Sequence, residues 1–72
     1  MISKVYQFSD SNIALVFSYY AIEKDGVAST ASVDIPGAIK VNFSDNATPR
    51  EIKAVTGLAT FNRGKVLSTE RS

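Results

Sequence analysis

The feature that most constrains the fold is an apolar stretch, Ile13–Ile22, which is interrupted only by Ser18. As a strand, it would be apolar on both faces, which is typical of a strand that is central in a sheet or covered on each side. A helix is the alternative, but the Ile, Val, Phe and Tyr side chains favour a strand. A chain of 72 residues has a thin core, because it buries only about 60% of the surface that its unfolded form exposes. We therefore expect a partner or a second copy of the chain to help cover this stretch.

Alternating residues predict two further strands. Over residues 2–8 the side chains of Tyr6 and Phe8 fall on the same face, and over residues 39–43 apolar and polar side chains alternate. The first segment therefore resembles a strand with aromatic side chains on one face, and the second resembles a half-buried strand.

Turn-forming residues predict how the strands connect. Asp25-Gly26 is typical of a two-residue type I′ turn, so we expect a hairpin between Ile13–Ile22 and a strand over 27–35. Pro36-Gly37 fits the middle of a type II turn. A two-residue hairpin at that point would place the apolar face of one flanking strand beside the polar face of the other. We therefore interpret Pro36-Gly37 as a corner that redirects the chain.

The C-terminal third of the sequence changes to a helical period. Thr48 and Glu51 form a capping box around Pro49, which predicts a helix from Pro49 to about Thr56. Gly57 is placed to end this helix. Three apolar residues at helical spacing are expected to face the core: Ile52, Val55 and Leu58.

These elements together predict an α+β fold in a single small domain over residues 1–67. Its parts are a small antiparallel sheet of three to four strands and one capped C-terminal helix packed on one face. Segment 59–67 fits either a short helix or a strand. Residues 68–72 are expected to be a flexible tail.

The composition excludes several classes of chemistry. The chain has no cysteine and no histidine, which rules out disulfides, Cys/His metal sites and catalysis by a cysteine nucleophile or a histidine base. The glycines lie far apart, so no phosphate-binding loop is present, and no carboxylates are spaced as in a calcium loop. We therefore expect no enzymatic activity, no cofactor and no metal.

Nothing in the sequence indicates a membrane. The longest apolar stretch is half the length of about 20 residues that a membrane-spanning helix needs, and the first residues do not resemble a signal peptide. A cysteine-free chain of this kind is expected in the cytoplasm.

The surplus of apolar and aromatic residues points to a protein-binding module, such as a small regulator or inhibitor of a larger complex. The expected contact surface is an aromatic sheet face or a strand edge beside two lysines. A homodimer through the sheet would also cover such a face. The candidate residues are Lys4, Tyr6, Phe8, Tyr19, Tyr20 and Lys40.

A nucleic-acid-binding regulator is the alternative. The net charge of +1 argues against strong non-specific attraction to nucleic acid, but the charge is uneven, at −2 through Ala47 and +3 from Thr48 onward. Segment 48–67 resembles helix-turn-helix DNA-binding units at Glu51, Ile52, Gly57, Leu58 and Val66. The resemblance implies contacts to bases and phosphates from the basic C-terminal segment. The candidates are Arg50, Lys53, Thr60, Asn62, Arg63 and Lys65.

Overall fold

Four strands and two helices make up the computed structural model, which describes residues 1–71. In chain order they are β1 (Ile2–Gln7), α1 (Ser11–Ala21), β2 (Val27–Ser32), β3 (Ala38–Phe43), α2 (Pro49–Phe61) and β4 (Lys65–Arg71). The strands form one sheet in the order β2-β3-β1-β4, and every neighbouring pair is antiparallel. This βαββαβ connectivity is the split-βαβ, or ferredoxin-like, arrangement. The predicted α+β fold is confirmed, with one helix more than expected.

The two faces of the sheet differ in character. Tyr6 of β1 pairs with Ile39 of β3, and both belong to the buried cluster that also holds side chains from the two helices. Successive residues of a strand point to opposite faces, so the neighbours Val5 and Lys40 lie on the face away from the helices. The core is thus a single layer between the sheet and the helix pair. Its largest fully buried side chains are Tyr6, Phe17, Val41, Phe43 and Val55.

The expectation of a strand over Ile13–Ile22 is wrong, because α1 occupies this stretch. Asp10 caps the helix, and its Oδ1 accepts hydrogen bonds from the backbone N–H groups of Asn12 at 2.6 Å and Ile13 at 3.2 Å. The side chains that α1 buries follow the helical i, i+3, i+4, i+7 spacing: Ala14, Phe17, Ser18 and Ala21. Apolar residues also fill the outward positions, so the sequence satisfies the period of a strand as well as that of a helix.

The first turn therefore joins a helix to a strand, so the predicted hairpin across Asp25-Gly26 is wrong. Gly26 takes a positive φ of 87°, and β2 follows it at once but ends at Ser32 instead of residue 35. The type II turn at Pro36-Gly37 is consistent with the structure, in which the Ala38 N–H donates to the Ile35 carbonyl at 3.1 Å and Gly37 has a φ of 73°.

The same turn was expected to be a corner, and the structure corrects this. Strands β2 and β3 are antiparallel neighbours, with Ser32 opposite Ile39. Segment 33–37 is therefore the loop of a hairpin that is longer than two residues, which lets the type II turn fit without misaligning the faces.

The predicted capping box of α2 is confirmed. The backbone N–H of Thr48 donates to Glu51 Oε1 at 2.9 Å, and the N–H of Glu51 donates to Thr48 Oγ1 at 3.1 Å. Val55 is fully buried, and Ile52 and Leu58 pack against the core from half-buried positions, as predicted.

The helix α2 is longer than predicted, because it continues past Gly57 to Phe61. It ends in a Schellman motif, in which the Gly64 N–H donates to the Ala59 carbonyl at 2.8 Å and the Arg63 N–H donates to the Thr60 carbonyl at 2.9 Å. Arg63 takes the left-handed position of this motif, with a φ of 63°.

The C-terminal segment is a strand, which corrects the prediction of a flexible tail for residues 68–71; Ser72 lies outside the described residues. β4 pairs with β1, placing Thr69 opposite Lys4 and Arg71 opposite Ile2. Without β4 the outer edge of β1 would leave backbone donors and acceptors unpaired beside the core. Because a strand follows α2, segment 48–67 does not form a helix-turn-helix.

Arg63→Gly is expected to raise the free energy of unfolding by about 1 kcal/mol, because glycine adopts the left-handed conformation without the cost of a Cβ. The matched variant Gly64→Ala should lower it, since a Cβ at Gly64 would overlap the ring of Phe8. Urea unfolding of both variants measures the two changes. Equal stability of Arg63→Gly and the wild type would contradict the Schellman geometry.

Tyr6→Phe is expected to lower the free energy of unfolding by about 1 kcal/mol at neutral pH, because it removes the 2.9 Å hydrogen bond between Tyr6 Oη and Thr56 Oγ1. Burial raises the pKa of the Tyr6 phenol, so the unfolded chain loses this proton first as the pH rises. Wild-type stability should therefore fall above a pH of about 10, and Tyr6→Phe should reduce that fall. Urea unfolding as a function of pH tests this, with Tyr19→Phe as the exposed control.

Candidate interaction surface

Helix α1 carries a second apolar face, which points away from the core. Leu15 and Tyr19 are one helical turn apart, and Val16 and Tyr20 form a parallel pair beside them, so the four side chains lie together. Tyr19 is 65% exposed and Tyr20 is 61% exposed. With Ile22, which is also exposed, they define a patch that we call the α1 face: Leu15, Val16, Tyr19, Tyr20 and Ile22.

The α1 face is uncharged and has polar residues at its ends. No residue of Ser11–Ala21 carries a charge, whereas the segment 23–25 that follows has the sequence Glu-Lys-Asp. A shallow cleft of about 360 Å³ lies on the face and is lined by Val16, Tyr19, Tyr20 and Glu23. An apolar centre with a polar rim is the usual composition of a protein–protein contact surface.

The aromatic side chains of the α1 face are of a kind that suits protein binding. A tyrosine offers a large ring for apolar contact and a hydroxyl for a hydrogen bond, and it does so with few rotatable bonds. Tyrosine is also enriched among the residues that dominate binding energies. Tyr19 and Tyr20 are therefore the strongest anchor candidates on this helix.

The aromatic face of the sheet that the sequence suggested as a contact surface is buried beneath the helices. Tyr6 is fully buried and Phe8 is 5% exposed, because both pack against Phe17 of α1, with ring centroids 5.4 Å and 4.8 Å away. Neither side chain can reach a partner without opening the core. Of the predicted aromatic contact residues, only Tyr19 and Tyr20 are exposed, and they lie on a helix.

The open face of the sheet is polar. Ser3 Oγ donates to Asn42 Oδ1 at 2.8 Å, and Asn42 Nδ2 donates to Ser29 Oγ at 3.1 Å, which links three strands in a row. Lys40 forms an ion pair with Glu70 at 3.2 Å, and since β1 lies between β3 and β4, this pair spans β1. These contacts join polar side chains of the open face to one another across all four strands.

The two lysines predicted to flank a binding edge do not lie together. Lys40 is on the open face, as described above. Lys4 pairs across the sheet with Val41, on the side of the helices, where its Nζ donates to Thr69 Oγ1 at 2.9 Å.

The structure does not bring the predicted nucleic-acid residues together. Arg50 and Lys53 lie at the start of α2, whereas Arg63 and Lys65 follow its end, about 20 Å away along the helix axis. The two polar candidates are engaged within the helix: Thr60 Oγ1 donates to the Thr56 carbonyl and Asn62 Nδ2 donates to the Leu58 carbonyl.

Sequence reasoning missed Leu15, Val16 and Ile22 as surface residues because it placed them in a strand. The signal that could have identified the helix is Asp10 in the segment Ser9–Asn12. An aspartate that precedes an apolar segment is a strong N-cap, although serine and asparagine beside it are also typical of a turn.

A comparison of the chain with models of known protein families finds no match, and a search of curated proteins finds no relative. Across residues 1–71, no helix has both the length and the apolar character needed to cross a membrane.

Phe17→Ala and Tyr19→Ala test which face of α1 is buried. Phe17→Ala should lower the free energy of unfolding by about 3–5 kcal/mol, because it removes a fully buried ring. Tyr19→Ala should change it by less than about 0.5 kcal/mol, as expected for an exposed position. Urea unfolding monitored by circular dichroism measures both, and a larger loss for Tyr19→Ala would contradict the orientation of the helix.

Proposed function

We propose that this chain is a non-catalytic protein-binding module whose contact surface is the α1 face. It would act as a small regulator or inhibitor by occupying a site on a larger protein. One observation carries the proposal: α1 is apolar on two opposite faces, and the fold covers only one of them. Helices that are apolar all round are normally buried on all sides, so an exposed one is best explained by a partner.

The partner that best fits this surface has an apolar groove that accepts a helix. Leu15 and Tyr19, and beside them Val16 and Tyr20, have the i, i+4 spacing with which amphipathic helices fill such grooves. The absence of charge along α1 favours an uncharged groove, because an unpaired charge in the partner would be desolvated at a cost. A standard interface buries about 800 Å² on each partner, so the polar segment 23–25 would also contact the partner at the rim.

The proposed location follows from the composition of the chain, and the preference for a protein partner over nucleic acid follows from where the cations lie. A cysteine-free chain fits a reducing compartment such as the cytoplasm. Nucleic-acid binding has less support, because the candidate cations are divided between the two ends of α2.

Val16→Glu combined with Tyr20→Lys is expected to abolish partner binding, because it puts two charges at the centre of the apolar contact. The new residues form a favourable i, i+4 pair and leave the net charge unchanged, so the fold should persist. The matched control is Gly57→Glu with Phe61→Lys, which builds the same pair at exposed positions of α2. The readout is photo-crosslinking in cells of the native host, from a benzoylphenylalanine at position 19, followed by mass spectrometry.

A specific protein that crosslinks in the wild type and the control, with a loss of about tenfold or more in the α1 variant, supports the proposal. Unchanged crosslinking in the α1 variant would place the contact elsewhere. Sedimentation at micromolar concentration provides a separate test. A dimer that becomes a monomer in the α1 variant would mean that a second copy, and not a larger protein, covers the face. Retention on DNA that Lys53→Glu with Arg63→Glu removes would favour the nucleic-acid alternative.

A further inference from the structure

A groove of about 410 Å³ lies between α2 and β4, on the helical side of the sheet and away from the α1 face. Its apolar lining comes from Ile2 at the start of β1 and from Pro49 and Ile52 in the first turns of α2. The volume is within the range of about 300–1,000 Å³ that is typical of small-molecule sites.

Lys4 is an unusual residue for this location. The positions of β1 that face the helices alternate as Ile2, Lys4 and Tyr6, so a charged side chain stands where the pattern calls for an apolar one. Lys4 is half-buried, and its ammonium group donates one hydrogen bond, to Thr69 Oγ1 at 2.9 Å. An ammonium carries three donors, so two remain for a ligand or solvent.

Two further cations line the same groove: Lys53 from α2 and Arg71 from β4. Among residues 1–71, no carboxylate lines it. In the part of the chain that the structure describes, the ion pairs join the N-terminus to Asp45 and Lys40 to Glu70, so neither of them includes a groove cation. Three positive charges around one apolar surface favour the binding of an anion between them.

We propose that this groove binds a small amphiphilic anion, namely a carboxylate attached to a hydrocarbon chain. The carboxylate would accept hydrogen bonds from Lys4, Lys53 and Arg71, since such charge-assisted bonds are among the strong ones in proteins. The hydrocarbon would lie on Ile2, Pro49 and Ile52. This site is separate from the α1 face, so the inference goes beyond the proposed function.

An acidic peptide added to the edge of β4 is the competing occupant, and the strand disfavours it. The pairing of β4 with β1 shifts register between Val5 and Tyr6 and leaves Leu67 as a bulge. A bulge and charged residues on an edge strand are devices that oppose the addition of another strand. The groove therefore suits a ligand that contacts the side chains lining it and does not pair with the backbone of β4.

The test is a titration of the isotope-labelled chain at low salt with octanoate, followed by amide NMR. We expect saturable shifts that centre on the residues lining the groove. Lys53→Gln with Arg71→Gln should weaken binding by about tenfold or more, and Lys4→Met, which keeps most of the aliphatic stem, should also weaken it. The matched control is Lys24→Gln with Lys65→Gln, which removes two exposed cations outside the groove and should leave the affinity unchanged. Urea unfolding establishes that each variant is folded.

Several results would overturn the proposal. Equal binding of octyltrimethylammonium would show that the groove recognises hydrocarbon and not the anion. Equal binding of acetate would show that any anion is attracted without use of the apolar lining. Shifts along β4 with a glutamate-rich peptide, and none with octanoate, would identify the edge strand as the binding element.

Discussion

The packing of Phe17 against Tyr6 and Phe8 is the interaction on which the rest of the structure depends. It fixes α1 to β1 and to the residue that follows this strand, with ring centroids 5.4 Å and 4.8 Å apart. Tyr6 also reaches Thr56 of α2 through its hydroxyl. The ring of Phe8 lies so close to Gly64 that no side chain fits there. One aromatic cluster thus positions both helices and the turn from which β4 begins.

The packing of this cluster also explains why α1 has a second apolar face that is exposed. The core is one layer deep, and α1 fills its share with Phe17 and three small residues, Ala14, Ser18 and Ala21. The small residues let the helix approach the sheet closely, so the bulky side chains of the stretch must point elsewhere. Helix α2 is different, since its outward positions include Arg50 and Lys53. The largest group of neighbouring exposed apolar side chains therefore lies on α1, whereas α2 exposes the ring of Phe61.

The sequence predicts those elements whose signals are local and unambiguous. The capping box at Thr48 and the alternation of residues 39–43 identify α2 and β3 because each pattern fits one structure only. The pattern of Ile13–Ile22 fits both a strand and a helix, and β-propensity favours the strand. The segment is nevertheless a helix, because tertiary packing of Phe17 outweighs this propensity. β4 is exposed along its whole length, so it lacks the alternation of buried and exposed residues that identifies a strand. It forms because β1 needs a partner for its backbone.

The same reasoning explains which parts of the candidate site could be predicted. A chain this short has more apolar residues than its core can bury. Some of them must therefore be exposed, whether they lie on a strand or on a helix, and Tyr19 and Tyr20 are among these. The burial of Tyr6 and Phe8 could not be predicted, because it depends on α1 covering their face of the sheet.

The groove cations come from distant parts of the sequence, and strand pairing brings them together into one charged surface. Lys4 belongs to the acidic part of the chain, which carries −2 through Ala47, and Arg71 stands near the opposite end. The antiparallel register that sets Thr69 opposite Lys4 and Arg71 opposite Ile2 brings them to one side of β4, where Lys53 of α2 joins them. A division of charge along the sequence thus becomes a local excess of positive charge beside apolar residues. The α1 face is uncharged and the groove is cationic, so the helical side of one small sheet presents two surfaces of different chemistry.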